Sequence, residues 1–368
     1  MYLESLQIQN VRNIGNAQLS LSPHLNLITG VNGAGKTSLL EAIHILSTGY
    51  SFRTREVKKV IQYENENVLV SGNVVNPALS ERAKRLAIQK DRAGNTEIRI
   101  DREKQSKLSL LSRQLPCVSI DTNSIELVEG GPSGRRKVLD WGMFHVEHSY
   151  LELLTQYKKA HGQKYQLLKT GVNNSNVNQL VHWNKVLVGL AEKIDTLREA
   201  YCDAISVVYQ DIHSNVFSKT DTTQLIFYRG WNHNKYDSLL DCLNQNKEQE
   251  ITRRSCLWGP HRADFTILYE GVEAKEICSR GQKKLVLYGV RLAQIRYMLE
   301  KTGYSPVVLL DDLPAELDKH NQHKVLKFLR DFECQSFITS IESLTSLQDM
   351  DLAQMDVKMF HVEHGTIT

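Results

Sequence analysis

The residues best suited to chemistry are the run Gly30, Val31, Asn32, Gly33, Ala34, Gly35, Lys36, Thr37 and Ser38. This run matches G-x-x-x-x-G-K-[ST]. Glycines let a backbone curl until several N–H groups face one phosphate, and a following helix adds its positive end. In such a loop Lys36 reaches the β- and γ-phosphates of a nucleotide and Thr37 can ligate Mg²⁺. The flanks fit: "LNLIT" reads as a strand before the loop and "SLLEAIHIL" as a helix after it. A glycine turn with a stray lysine would need neither flank.

A phosphate loop needs an acidic partner, and "SPVVLLDDLPAELD" offers one. Val307 to Leu310 is an apolar run suited to a buried parallel strand. Asp311 then lies at its carboxyl end, where open α/β sheets place ligand chemistry, and can hold Mg²⁺ through water. Asp312 is the candidate base for an attacking water. A third stretch, Ser279-Arg280-Gly281-Gln282, precedes the helical run "LVLYGVRLAQIRYMLEK". It looks like a turn that opens a helix, with a hydroxyl and backbone N–H groups free for an anion. Taken alone, it reads better as an ordinary helix cap by Ser279.

The elements that must position these groups follow from hydrophobic spacing. The first hundred residues read mostly as strands: Leu3, Leu6 and Ile8 alternate roughly, "AQLSLS" is a possible hairpin partner, and "VLVSGNVV" (68–75) is another strand. "RLAIQKD" and "TEIRID" flank Arg92-Ala93-Gly94-Asn95, a hairpin signal. From Arg135 to about Lys169 the spacing is helical. "TGVNNSNVN" (170–178) is a turn-rich connector. Val186 to Ile212 marks one long amphipathic helix. Strand signals return near "TILYEGVEAKEI". The rest alternates: helix 282–300, strand 307–310, helix 319–331, strand 336–339 and strand 358–363. The expectation is an α/β unit over 1–130 and 255–368, split by a mainly helical block at 131–254. The hexapeptide "MFHVEH" occurs at both 143–148 and 359–364, in a helical and a strand-like context. Its H-x-x-H spacing lacks the order of a metal-binding helix motif, which favours chance or structural reuse.

Composition sets bounds on this reading. The chain has 368 residues, 41% of them apolar, and a formal charge of +3, too mild to imply a nucleic-acid partner by itself. Six cysteines without a CxxC pair fit reduced thiols in a cytosol. The start, "MYLESLQIQNVRNI", reads as a strand and not as a signal peptide. No run approaches the roughly 18 apolar residues that a membrane span needs. A soluble cytoplasmic protein, with no membrane partner, is expected.

In order along the chain, "NVRNI", "NGAGKTSLLEAIHILSTGYSFRT", "GGPSGRRKVLDW", "GPHRADF", "SRGQKK", "LLDDLPAELD" and "FITS" resemble the ABC-type ATPases and, more closely, the RecF recombination-repair family. The resemblance implies an ABC-type ATPase head: a P-loop α/β lobe with an antiparallel β part, plus an inserted, mainly helical lobe. It implies ATP and Mg²⁺ as cofactors. It also implies that Ser279, Gly281 and Gln282 cap the γ-phosphate held by the P-loop of a second copy, giving a head-to-tail homodimer with ATP between the heads. Arg12 matches an arginine near the nucleotide, or is a surface arginine. Glu316 and Asp318 match a loop that crosses between heads, or are a solvated helix start. His261 and Arg262 match a family motif for which a hydrogen-bonded structural histidine is the plainer account. Three departures stand out. "SIDTNSIELV" holds no glutamine where a Gln-bearing loop is expected, leaving Asp121 or Asn123. Asp311-Asp312 replaces Asp-Glu, and Thr339 stands where a switch histidine is often found. A shorter carboxylate and no imidazole suggest slow hydrolysis, suited to a timer.

The same resemblance implies ATP-dependent binding of DNA, duplex and single-strand/duplex junctions, near gaps. It also implies a part in recombinational repair and replication with the RecO and RecR proteins, recombinase loading and SOS induction. Basic clusters at Arg53, Arg55, Lys58, Lys59, at Arg82, Lys84, Arg85, and at Arg135, Arg136, Lys137 are candidate phosphate contacts or solvated faces. Few aromatics accompany them, which favours duplex phosphates over stacking on single strands. Two competing readings are a nucleotide-binding subunit of a membrane transporter and a P-loop ATPase coupled to a nuclease. The large insertion between loop and signature weighs against the former, and the scattered acids beyond Asp318 against the latter.

Overall fold

Strands form where the apolar period is two, or where it is continuous. The computed structural model describes residues 1–173, 175–218, 221–341 and 356–368; Asn174 of the expected connector lies outside them. β1 (Tyr2–Val11), β2 (Ile14–Ser20), β4 (Asn67–Asn76), β5 (Ser80–Asp91), β6 (Thr96–Ile100) and β7 (Glu103–Gln105) form an antiparallel sheet of order β2-β1-β4-β5-β6-β7. The rough alternation at the start has a physical cause: the register of β1 against β4 shifts between Leu3 and Ser5. The bulge at Glu4 lets both Leu3 and Leu6 point into the core.

A second sheet has the order β15-β14-β3-β13-β12-β8, from β3 (Leu25–Thr29), β8 (Cys117–Ile120), β12 (Val307–Leu310), β13 (Ser336–Ser340), β14 (Val357–Glu363) and β15 (Thr366–Ile367). All its pairs are parallel except β14–β15. β12 and β13 are buried along their whole length, as expected of strands covered on both faces. Side chains of the antiparallel sheet, the helix Lys36–Thr48 and the parallel sheet share one core, which includes Leu6, Ile8, Leu39, Ile43, Leu309 and Phe337. The fully buried Gln335 stitches the two sheets: its Oε1 accepts from Leu3 N at 2.7 Å, and its Nε2 donates to the carbonyls of Leu3 and Ser22, both at 2.7 Å.

Packing groups the described residues into two compact units, Met1–Ile125 with Leu287–Thr368, and Glu126–Val286. Both sheets above lie in the first. The second holds helices Pro132–Val146, Tyr150–Thr170 and Val177–Ile212, and a small antiparallel sheet of β9 (Thr223–Tyr228), β10 (Asp264–Tyr269) and β11 (Val272–Glu273). These units differ from the expected division at residues 131–254. β9 lies within that block but pairs in register with β10, Asp264 opposite Tyr228, so the return at 255 would cut a sheet. The helical spacing from 135 to about 169 is realised as two helices, with a turn at Glu147 between them. The Glu147 carboxylate accepts from the N–H and hydroxyl of Ser149, at 3.1 and 2.9 Å, and turns the chain. The repeated hexapeptide is helical through Val146 in its first copy and is strand β14 up to Glu363 in its second. Parallel pairing with β3 decides the second conformation.

The second unit buries charge. Lys164 Nζ lies 2.6 Å from Glu250 Oε2, with side chains 1% and 0% exposed. Removing one partner strands the other charge. Lys164→Met is therefore expected to destabilise this unit by about 3–5 kcal/mol, whereas Lys164→Met with Glu250→Leu recovers most of the loss. Urea midpoints of the wild type and the two variants check this.

Candidate nucleotide-binding site

The loop Gly30–Gly35 joins β3 to the helix Lys36–Thr48. Gly30, Gly33 and Gly35 have φ of 148°, 81° and 124°. At Gly30 a Cβ would lie 2.3 Å from the carbonyl oxygen of Val362, and at Gly35 2.9 Å from the Asn13 side chain. Glycine is thus required by close approach as well as by φ. Lys36 Nζ folds back onto the loop, donating to the carbonyls of Gly30 at 2.6 Å and Val31 at 3.0 Å. Burial lowers the Lys36 pKa, opposed by Asp312 and then Asp311.

The parallel sheet brings the acids to this loop. Asp311 follows the last residue of β12, and Thr37 Oγ1 donates to both of its carboxylate oxygens, at 3.0 and 3.1 Å. Thr339, fully buried on β13, donates to Asp311 Oδ1 at 2.8 Å and accepts from Asp312 N at 2.7 Å. Burial raises the Asp311 pKa, the two threonine hydroxyls oppose this, and Asp121 and Asp312 add to it. Asp121 follows β8, whose Ile120 pairs with Leu310, so two acids stand at the ends of adjacent strands. Asp312 sits at φ 54° and ψ 46°, a left-handed conformation that L-residues adopt at a cost.

Asn13 was not singled out from the sequence, yet it braces the loop. Its Nδ2 donates to Ala34 O at 2.7 Å and its Oδ1 accepts from Ser38 Oγ at 2.9 Å. Gly365 N, in the turn between β14 and β15, also donates to Ala34 O, at 2.8 Å. The signal for it in the sequence is the "NVRN" stretch, where the charged Arg12 is the more conspicuous residue. Arg12 is tied away in a bidentate pair with fully buried Glu41, at 3.0 and 2.8 Å, and bonds the Lys59 carbonyl.

The second unit holds Ser279, Gly281 and Gln282. Ser279 and Gly281 are exposed at the start of the helix Arg280–Thr302. Ser279 Oγ accepts from Gln282 N at 3.3 Å, and Gln282 Oε1 accepts from Ser279 N at 2.9 Å, a reciprocal capping box. The Ser279 hydroxyl hydrogen is left available for another acceptor. Of the remaining sequence candidates, Asp318 caps the helix Lys319–Asp331 through Asn321 N at 2.9 Å, and Glu316 ends a short helix before it. His261 Nδ1 lies 2.8 Å from the Tyr157 hydroxyl and its Nε2 3.2 Å from Cys256 O. Burial, then His161, pushes the His261 pKa down to about 3, consistent with a neutral structural ring. Arg262 also reaches Cys256 O, at 3.4 Å. Asn123 is exposed.

Two members of one basic cluster are committed elsewhere. Arg135 is buried in a bidentate pair with Asp264, both contacts at 2.8 Å, and Arg136 donates to Ala263 O at 2.7 Å. Arg53, Arg55, Lys58 and Lys59 are exposed; Lys59 pairs with Glu56 at 2.7 Å, and Arg53 stands 3.7 Å from Glu41.

A strand–loop–helix phosphate cradle on a parallel sheet, an antiparallel sheet sharing its core, and a capped signature turn define the head of an ABC/SMC-type ATPase. The model of the RecF/RecN/SMC N-terminal domain matches residues 2–368. The chain is 37% identical to the DNA replication and repair protein RecF of Stutzerimonas stutzeri, over 100% of this chain and 97% of that protein. It is 35% identical to RecF of Aliivibrio fischeri, over 100% and 99%. Among solved structures it is similar to the recombination mediator RecF with ATP, of the RecFOR pathway, at TM-score 0.86 and 27% identity, covering 100% of this chain and 97% of that one. An Smc head bound to a ScpA domain shares the fold at TM-score 0.60 and 15% identity, covering 100% and 96%. The chain belongs to the family of RecF DNA replication and repair proteins. That relationship disfavours the transporter reading, and no helix among the described residues is long and apolar enough to cross a membrane.

The raised pKa of Asp311 has a signed consequence. The folded protein holds this proton to higher pH than the unfolded chain does. For this group, stability is greatest in acid and declines as pH rises from the unfolded carboxylate range through the raised folded value. Asp311→Asn should raise the melting temperature of the nucleotide-free protein by a few degrees at pH 8 and by less at pH 4. The same variant should lose Mg²⁺-dependent retention of ATP. Thermal scans at both pH values and filter binding with and without Mg²⁺ check this.

Proposed function

We propose that this chain is an ATP-gated DNA-binding protein of recombinational repair and replication, whose heads close as a head-to-tail homodimer on DNA near single-strand gaps. What supports this most is the prepared loop: glycine turns closed by Val362 and Asn13, with the Lys36 ammonium held on two loop carbonyls. Such a cradle fits a triphosphate. Gly30 to Ser38 would surround it and Lys36 would turn from the carbonyls to the β- and γ-oxygens. The hydroxyl of Thr37 and the carboxylate of Asp311 are a hard-oxygen donor set suited to Mg²⁺, which neutralises phosphate charge when bound. Asp312 orients and deprotonates the water. The exposed Ser279 hydroxyl, with the N–H group of Gly281 and that of Gln282 once it turns from Ser279 Oγ, caps the γ-phosphate of a second copy. Hydrolysis is slow, so ATP acts as a timer for the closed state. The work on DNA, with recombinase loading alongside RecO and RecR and the onset of the SOS response, follows from the RecF relationship.

Mixing two defective variants tests the shared site. Lys36→Ala and Ser279→Arg are each expected to abolish cooperative ATPase activity, because every composite site is damaged. In a mixed dimer one site joins the intact Lys36 of one chain to the intact Ser279 of the other, so partial activity returns. No recovery, with mixed dimers shown to form, sinks the shared-site reading. Asp312→Asn should keep ATP binding and slow turnover by at least tenfold; unchanged turnover removes Asp312 from its role.

For DNA, neutralising Z phosphates gives a log K against log salt slope of about −0.9Z. Replacing Arg53, Arg55, Lys58 and Lys59 by alanine should flatten that slope by about 2–4. An unaltered slope and affinity moves the DNA path to Arg82, Lys84 and Arg85.

A further inference from the structure

Gln282, the last residue of the signature turn, is held from behind by a chain of hydrogen bonds that the nucleotide reading does not use. Its Nε2 lies 3.3 Å from the Tyr269 hydroxyl, which in turn donates to the Asp221 carboxylate. Tyr269 ends β10 and is 7% exposed. Asp221 stands just before β9, where Thr223 pairs with Tyr269. The position of Asp221 is anchored by its neighbour: Glu270 N donates to Thr222 O at 2.9 Å, and Thr222 N donates back to the Glu270 carboxylate. The ring of His213 packs edge-on against Tyr269, centroids 5.9 Å apart at 87°.

Direction in this chain matters. Asp221 is an acceptor only, so the single hydroxyl hydrogen of Tyr269 is spent on it. Burial, then the hydrogen bond to Asp221, pushes the Tyr269 pKa up to about 12, so the phenol keeps that hydrogen at neutral pH. Toward Gln282 the phenol oxygen can then only accept. The amide must present its NH₂ to Tyr269 and its oxygen to Ser279 N, the arrangement observed at 2.9 Å. A flipped amide would set two acceptors against each other and two donors against each other.

We infer that Tyr269, oriented by Asp221, is a positioning residue for the signature turn: it fixes the Gln282 amide, and through it the Ser279 backbone, before any phosphate arrives. The inference rests on the shared-site reading for its effect on ATP but not for its effect on the free chain. The turn is prepared within its own subunit and used by the other.

Tyr269→Phe removes the hydroxyl and keeps the ring. In the nucleotide-free protein, amide hydrogen exchange at Ser279 should quicken at least fivefold, with amides two turns into the helix Arg280–Thr302 unchanged. Exchange at Ser279 equal to wild type overturns the inference whatever the dimer does. With ATP, Tyr269→Phe should lose about tenfold in cooperative ATPase activity while its own P-loop binds a fluorescent ATP analogue normally. Mixed with Lys36→Ala it should recover, since one site is then whole. Mixed with Ser279→Arg it should not, since both sites carry a damaged turn. Wild-type activity of Tyr269→Phe beside an inactive Ser279→Arg overturns the role of Tyr269 alone. Failure of Lys36→Ala and Ser279→Arg to rescue each other strikes the shared-site reading instead. Recovery of Tyr269→Phe with both partners would place its defect outside the turn and also overturn the inference.

Discussion

The carboxylate of Asp311 is the joint on which the nucleotide-binding unit depends. It accepts from Thr37 at the start of the loop's helix and from Thr339 at the end of β13, and so ties together three segments far apart in the chain. Parallel strands make this possible. Because β3, β13, β12 and β8 run the same way, their carboxyl ends gather the loop, Thr339, Asp311 and Asp121 at one edge. Burial makes the charge on Asp311 unfavourable, and two hydroxyl donors are what the fold supplies against it. The two hydroxyls offset part of that cost, and the neighbouring Asp121 and Asp312 add to it.

Around that joint the packing is stiff. Glu41 lies on the buried side of the loop's helix, and its two oxygens meet Arg12, Ser51 and the edge of Arg53. Asn13 and Gly365 both donate to Ala34 O, so the loop's outer carbonyl is fixed from two sides. Gly365 could not be otherwise: a Cβ there would lie 2.0 Å from Asn13 O. The strands nearest the ends of the chain therefore close the loop from behind, which explains why "NVRNI" is part of the site although it touches no phosphate group in the proposed reading.

Much of this was legible because local pattern and function coincide. The glycine loop with its strand and helix, the run Val307–Leu310 ending in two aspartates, and the helix Lys319–Asp331 all appear where spacing places them. What could not be read depends on partners distant in sequence. β9 is a short strand in a helical block, and only its pairing with β10 makes it one. The twin hexapeptides carry identical side chains into a helix and a strand, so no local rule could assign both. Arg135 and Arg136 looked like a basic patch because Asp264 and the Ala263 carbonyl, which consume them, lie far along the chain. Asn13 was hidden for the same reason: its neighbour carries the charge, while its own partners sit in the loop.

The departures from a transporter-like site make physical sense together. Thr339 stands where an imidazole could donate to a γ-phosphate, but its hydroxyl hydrogen is already given to Asp311 and its oxygen accepts from Asp312 N. It serves as a brace for the acidic pair, with no hydrogen left for substrate. Asp312 is held by that same bond, through its backbone N–H, in a left-handed conformation. Compared with a glutamate, its side chain has one fewer torsion, so from that fixed backbone its carboxylate reaches fewer positions.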